Sequence, residues 1–354
     1  MIEISNLLPQ RMMEILNMHP KAPKWIKTYF EWHAIEREKL LYNNITEPTK
    51  ALIIICHRDM HCGGIADRLK SLPYYVTLAE KTNRMLFIKW EKFNLEDFMQ
   101  PPKDGFDWRL PENITISLDI DYDGSLIDLM NNETHELHEK QYIFLSTHME
   151  HKHEIEFDYN IHEIEALHRV ILNYFFEPVA ALRQQIKVVM DSLGLVPQEY
   201  VAAHYRSNDH LFNEGENVSL IDDKIEYEIH NAIQCAVEKG DNKSYPVYFT
   251  SSHSKNVKYV LRDSPFAADR NPPVKVLGNV GKRIHSEYPG SPGKNYDYEE
   301  HAPTELYPIF IDLWLMAYSK CVAFGSLGFG RLGARLGGGW CYANHQLHSC
   351  PVFF

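Results

Sequence analysis

Apolar and polar positions along this chain switch between two periods. Ala51-Leu-Ile-Ile-Ile-Cys56 is an unbroken apolar run, the length of a strand buried on both faces of a parallel sheet. After it, Leu69, Leu72, Val76 and Ala79 recur at helical spacing over 65–81, with Pro73 placed to bend the helix. Residues 84–90 read as the next strand. Strand, helix and strand in this order make a βαβ unit. Further strands are predicted at 115–121 and 142–146. Residues 1–48 read as amphipathic helix, with Trp25, Phe30, Trp32, Leu40 and Leu41 as anchors.

A helix is predicted over 162–193, and the pattern restarts after Gly194 and Pro197. Residues 200–206 form a strand that runs into a polar loop. Ile225, Ile229, Ile233 and Val237 place a helix over 222–239, capped by Gly240. Strands follow at 246–251 and 274–277, inside and beside a stretch, 265–293, rich in Pro and Gly that reads as loop. The chain closes with a helix at 305–319, a strand at 321–325 and a helix at 329–336. Two successive sets of about four strands alternating with helices predict the α/β class: two Rossmann-like domains facing a cleft. The expected division is 1–194, with a helical N-terminal extension, and 195–354. Ligands are expected at the carboxyl ends of the strands.

Composition narrows the function classes. Of 354 residues, 44% are hydrophobic and 24% charged, which excludes a disordered or collagenous chain. Lys and Arg number 36 against 48 Asp and Glu, a net charge of −12. That balance argues against broad nucleic-acid or anionic-membrane binding, and leaves room for a local basic pocket for one phosphate ligand. No run of 18 apolar residues is present. The start, Met1-Ile-Glu-Ile4, has no signal-peptide pattern. The six cysteines form no Cys-x-x-Cys pair, against a structural zinc site. Cys341 and Cys350 flank a short polar loop that would let them pair, a pairing the sequence leaves open; Cys321 reads as core. Asn-x-Ser/Thr occurs at Asn44, Asn113, Asn132, Asn217 and Asn242, which points to a secretory-pathway lumen.

Three segments carry candidate chemistry. Gly325-Ser326-Leu327-Gly328-Phe329-Gly330-Arg331-Leu332-Gly333 follows a strand and opens a helix, so its backbone N–H groups can meet an anion. It matches G-x-G-x-x-G, but a dinucleotide fingerprint belongs to a first βαβ unit, and only 21 residues follow Gly333. The readings left are a diphosphate cradle and close helix–strand packing. His204-Tyr-Arg206-Ser-Asn-Asp209 stands just past a strand, and a guanidinium there binds phosphate through a fixed fork of donors; a surface Arg–Asp pair is the plainer reading. Glu214 lies in the loop beyond.

Asp119-Ile-Asp121-Tyr-Asp123-Gly124 fails as a calcium loop, because Met130 stands where the loop needs Glu. As an Asp-x-Asp site it would hold a divalent ion against a nucleotide-sugar diphosphate; the alternative is a solvated strand end. The histidines at 135, 138, 148, 151, 153, 162 and 168 alternate with charged residues and read as a solvated face. Neither a G-x-S-x-G elbow nor a P-loop occurs.

Together these segments resemble the inverting fucosyltransferases of GT-B fold, the group of core α1,6-, nodulation-factor, plant cell-wall and protein O-fucosyltransferases. Cys62-Gly-Gly-Ile-Ala-Asp-Arg-Leu-Lys-Ser-Leu-Pro73, continued by Asn83 to Trp90, is similar to the family's N-terminal glycine loop, helix and strand. His204-Tyr-Arg206 is similar to its H-x-R motif, and Asp312 through Gly337 to its C-terminal nucleotide motif. The resemblance implies a GDP-fucose donor, a glycan or glycoprotein acceptor, no metal, and a Golgi lumen or, in a prokaryote, the cytoplasm. It implies that Arg206 binds the β-phosphate and His204 contacts guanine. Ser326 and the amides of Leu327, Gly328, Phe329 and Gly330 would complete the phosphate site, and Gly63 and Gly64 would admit the fucose. Glu214, or else Asp209, would take the acceptor's proton. Where the family often has an Asp pair for guanine, this chain reads Thr250-Ser251-Ser252-His253, leaving Ser252 as the acceptor of a hydrogen bond. Two other readings stay open: a metal-dependent glycosyltransferase using Asp119 and Asp121, and a non-catalytic glycan-binding protein of the same fold.

Overall fold

The computed structural model describes residues 10–41, 50–57, 62–91, 94–112, 114, 138–146, 159–206, 223–242, 244–252, 254–262, 275–278, 302–325, 328–337, 341–346, 350 and 352–353. The chain divides into two compact units, Met1–Glu177 and Pro178–Phe354. The expected strand at 115–121, Asp119 and Asp121 within it, and most of the histidine-rich stretch lie outside the described residues.

The first unit opens with α1 (Gln10–Met18) and α2 (Trp25–Leu41). The two prolines between them, Pro20 and Pro23, end the first helix, because proline removes a backbone donor and crowds the preceding turn. The strand β1 (Ala51–Cys56) is buried along its whole length. The single helix expected over 65–81 is two, α3 (Ile65–Leu69) and α4 (Leu72–Lys81). Pro73 sits in the first turn of α4, where its missing N–H has no intrahelical partner to lose. β2 (Met85–Trp90) and β3 (Tyr142–Ser146) both pair with β1 in parallel, in the order β2-β1-β3. α5 (Ile161–Phe175) starts at a capping box: the Asn160 side chain accepts from the N–H of His162 and Glu163, and Glu163 accepts from the N–H of Asn160. The helix expected to run on to Leu193 breaks at Phe176, ahead of Pro178.

The interior of this unit holds a histidine. His33 is fully enclosed; its Nε2–H donates to the Leu86 carbonyl at 3.1 Å, which fixes the tautomer, and its ring lies 4.0 Å from that of Phe106. Burial pushes its pKa down to about 3.

The second unit begins with α6 (Ala180–Leu193), ended by Gly194 in the left-handed region at φ 66°. There follow β4 (Val201–Tyr205), α7 (Asp223–Lys239), β5 (Val247–Ser251), α8 (Ser254–Arg262), β6 (Val276–Leu277), α9 (Tyr307–Ala317), β7 (Cys321–Phe324), α10 (Gly328–Leu336), β8 (Cys341–Asn344) and β9 (Val352–Phe353). The sheet order is β9-β8-β7-β4-β5-β6, parallel throughout except for β9. Alternate residues of β4 serve different layers. Val201, Ala203 and Tyr205 join Ile229, Ile233 and Val237 of α7 in one apolar cluster, and His204 points to the other face. On that face Asp312 of α9 is buried and accepts from the hydroxyls of Tyr248 and Thr250, each at 2.6 Å.

All six cysteines are paired: Cys56 with Cys62, Cys235 with Cys350, and Cys321 with Cys341. The Cys341–Cys350 pairing that the sequence left open is not formed, and Cys321, read as core, is bridged. The reason is the strand at Cys341–Asn344, which the sequence pattern did not reveal. It lies beside β7 with Cys341 directly opposite Cys321, at a Cα separation of 4.6 Å, within bonding range. Cys350 is left to reach α7. No helix among the described residues is long and apolar enough to cross a membrane.

Candidate functional site

Strand order places the site. From β4 the chain moves outward through β5 and β6, then returns to the other side of β4 to lay down β7 and β8. Between β4 and β7 the order reverses, and the carboxyl ends of strands at such a switch are where α/β sheets bind ligands. Both sequence-predicted segments of the second unit sit here. Arg206, half-buried, follows β4 directly; Gly325 follows β7.

The first turn of α10 is seated on these strand ends. The Phe329 and His204 rings lie 5.5 Å apart. A β-carbon on Gly330 would stand 3.1 Å from His204 Cβ, a tight contact, and 2.6 Å from Phe324 Cβ and 2.9 Å from His204 Nδ1, closer than real β-carbons approach. Glycine there lets the helix start touch the sheet. The backbone N–H groups of Gly328, Phe329 and Gly330 open the helix and have no acceptor within it. The helix dipole adds partial positive charge at the same end. The arrangement supplies a guanidinium and a set of amides at one strand-end switch, a combination that attracts an oxyanion. Close packing, one of the two readings of the glycine segment, accounts for several of its glycines. Gly333 and Gly337 pack α10 tightly on Met316 and Ala317 of α9, whereas Gly325 and Gly328 lie at the strand-end side.

A residue the sequence reading missed holds this edge together. His345 is buried; its Nε2–H donates to the His204 carbonyl at 3.1 Å, and its backbone N–H donates to the Phe324 carbonyl at 3.0 Å. It thus ties the ends of β4 and β7 to each other. Burial lowers its pKa, opposed by the bond to His204 and by the nearby charge of Glu228. Glu228 in turn accepts from the Tyr205 hydroxyl at 2.8 Å, and the Asn231 side-chain amide donates to the His345 carbonyl. His345 follows a strand that the hydrophobic pattern did not show, so no local signal marked it.

Ser252 is exposed, one residue past β5 and on the same strand-end side. Asn256, fully buried, donates to the Ser251 hydroxyl at 3.0 Å. In the first unit Gly63 adopts φ 68°, a left-handed conformation that favours glycine. The N–H of Gly64 donates to Asp67 Oδ2 at 3.1 Å. Asp209, Glu214, Ser326 and Leu327 lie outside the described residues. Among the described residues no group of three or more His, Cys, Asp or Glu side chains is arranged to hold a metal ion.

The sequence matches no protein-family model and no curated protein. Solved structures do match. A point mutant of Arabidopsis thaliana FUT1 in complex with GDP aligns over 95% of this chain and 78% of its own, at 11% identity and a TM-score of 0.53. NodZ alpha-1,6-fucosyltransferase soaked with GDP-fucose aligns over 84% of this chain and 94% of its own, at 14% identity and a TM-score of 0.50. At such identities the likeness is one of fold: two α/β units of the Rossmann type, the fold class of GT-B proteins.

Proposed function

We propose that this chain is an inverting glycosyltransferase that transfers fucose from GDP-fucose to a hydroxyl of a glycan or glycoprotein without a metal. The observation that carries the reading is the meeting of the Arg206 strand end with the Gly328–Phe329–Gly330 helix start at the β4/β7 switch, on a fold similar to that of a protein solved with GDP. Arg206 and the helix amides would bind the diphosphate and offset the charge that grows on it as the sugar departs, the role a metal ion serves elsewhere. The resemblance assigns a guanine contact to His204, and Ser252, at the end of the neighbouring strand, is the second proposed contact to the base.

In the reaction the acceptor oxygen bonds to the anomeric carbon from the face opposite the diphosphate, and the carbon–oxygen bond to the β-phosphate breaks. The resemblance assigns the acceptor's proton to Glu214 or Asp209, and that assignment is part of the proposal. Three disulfides and five glycosylation motifs support a lumen of the secretory pathway.

The test is a thermal-shift and calorimetry screen of GDP, GDP-fucose, GDP-mannose and UDP-sugars, with and without Mn²⁺. GDP and GDP-fucose should stabilise the protein equally with and without the ion; a ligand at 100 times its Kd raises stability by about 2.7 kcal/mol. Arg206→Ala should abolish the shift. A chain that binds no guanine nucleotide, or binds one equally well without Arg206, is not the enzyme proposed.

A further inference from the structure

We propose that the Cys321–Cys341 bridge is a redox-sensitive tie on the nucleotide site of the second unit. Its reduction by a dithiol frees β8, withdraws His345 from the ends of β4 and β7, and so weakens nucleotide binding. The inference rests on the donor reading above and adds control to it.

The three bridges differ in access. Cys56, Cys62, Cys235, Cys321 and Cys350 are each 8% exposed or less, whereas Cys341 is partly exposed. Exchange requires a thiolate to reach one sulfur of the bridge. Cys341 is therefore the point of attack, and the two bridges buried at both ends are inert beside it.

The accessible bridge is also the one tied to the site. Cys321 and Cys341 open β7 and β8 and stand opposite each other in the parallel pair. β8 is four residues long, and β9 pairs with it at two positions, Tyr342 with Phe353 and Ala343 with Val352. The covalent bond fastens the start of this short strand, and His345 fastens its end. His345 reaches three elements. Its Nε2–H donates to the His204 carbonyl of β4 at 3.1 Å, its backbone N–H donates to the Phe324 carbonyl of β7 at 3.0 Å, and its carbonyl accepts from Asn231 of α7. His204 stands two residues before Arg206, and Phe324 is followed by Gly325 and the start of α10. A change at the start of β8 is thus passed to the edge where Arg206 and the helix amides meet.

Reduction leaves two thiols facing each other on adjacent strands. They part, because sulfurs that share no bond do not stay at bonding distance, and β8 loosens from β7. The segment stays close at hand. Cys350, beyond it, remains bridged to Cys235 of α7, so the strand can return and the bridge can re-form.

The step balances. One thiolate of the dithiol bonds to Sγ of Cys341, and the Cys321 sulfur leaves with the electron pair and takes up a proton. The second thiolate of the dithiol then bonds to the first sulfur, and Cys341 leaves as a thiolate that is protonated in turn. Two electrons pass to the protein, and the dithiol becomes a disulfide.

The experiment titrates the full oxidised chain with dithiothreitol. Samples are acid-quenched, alkylated in denaturant and mapped, while calorimetry on matched samples gives the Kd for GDP and circular dichroism reports the fold. Cys321 and Cys341 should be the first pair to open. In that form the Kd for GDP should rise about tenfold, within the usual range of a coupling between two sites. The coupling is reciprocal, so saturating GDP should raise the ratio of reduced to oxidised dithiothreitol needed for half-opening by the same factor. Removing the reductant and adding oxidised dithiothreitol should restore the affinity. His345→Leu keeps the bridge and cuts the tie; it should weaken GDP binding by a similar factor and make it insensitive to reduction. If His345→Leu does not fold, the shift of the half-opening ratio by GDP decides alone. The proposal is overturned if a buried bridge opens first, if the two-thiol form binds GDP within threefold of the oxidised chain, or if opening the bridge unfolds the chain. An oxidised chain that binds no GDP overturns the donor reading and this control together, before any reductant is added; failure of the control alone shows only after it.

Discussion

A β-carbon added to Gly330 would lie 2.9 Å from Nδ1 of His204. Glycine at one position and histidine at another 126 residues earlier are thus two halves of one contact, through which the start of α10 rests on the end of β4. The helix amides and Arg206 share one edge of the sheet because this contact is so close.

Gly330→Ala tests that dependence. The added methyl group meets Phe324 Cβ and the His204 ring on a face that has little room to shift. Overpacking of this kind costs about 1–3 kcal/mol, read as a lower denaturation midpoint. GDP affinity should fall about tenfold or more as the helix start moves off the strand ends. Unchanged stability and unchanged affinity would show that the contact is dispensable.

Asp312 ties α9 to β5 through two buried hydroxyls. Asp312→Ala leaves the Tyr248 and Thr250 hydroxyls without this acceptor, and a buried group left unsatisfied costs about 1–3 kcal/mol. A double variant, Asp312→Leu with Tyr248→Phe, should recover stability relative to Asp312→Leu alone, because one orphaned hydroxyl is gone. Urea denaturation of the set measures both effects.

Acid should weaken the first unit through His33. Its pKa in the fold is about 3, against an ordinary 6.5, because of burial. His19, lowered by burial and by the charge of Arg169, stands at about 4. Above pH 6.5 both states are neutral and nothing is lost. Below it the unfolded chain takes up protons that the folded one refuses, so stability falls as pH drops from 6.5 toward 3, by up to about 1.4 kcal/mol per pH unit for each histidine. Denaturation midpoints between pH 7 and pH 5 should show this slope, and His33→Gln should flatten it. A slope equal in the variant would remove His33 from the account.

The disulfide pattern is directly checkable. Peptide mapping without reductant should find Cys56–Cys62, Cys235–Cys350 and Cys321–Cys341, and no Cys341–Cys350 peptide. The bridges from Cys235 and Cys321 span 115 and 20 residues. In the chain-entropy account they constrain the unfolded state by about 5 and about 3 kcal/mol. Cys235→Ser with Cys350→Ser should therefore lower the denaturation midpoint more than Cys321→Ser with Cys341→Ser.

Hydrophobic periodicity by itself determined the alternation of strands and helices, the α/β class and the placing of His204 and Arg206 at a strand end. Each of these is written within one segment: an apolar run such as 51–56 buries whatever lies beside it, and four-residue spacing makes one helix face apolar wherever it packs. Interruptions were read less well. Phe176 to Val179 ends one helix and starts another through a single proline whose effect depends on what the next turn packs against. Tertiary structure alone decided which ends meet. Strand order put β7 next to β4 and so joined the Arg206 edge to the Gly330 helix, and β8 beside β7 gave Cys341 to Cys321 and brought in His345. These pairings depend on burial summed over whole strands and on loops closing across long separations, and no local period records either.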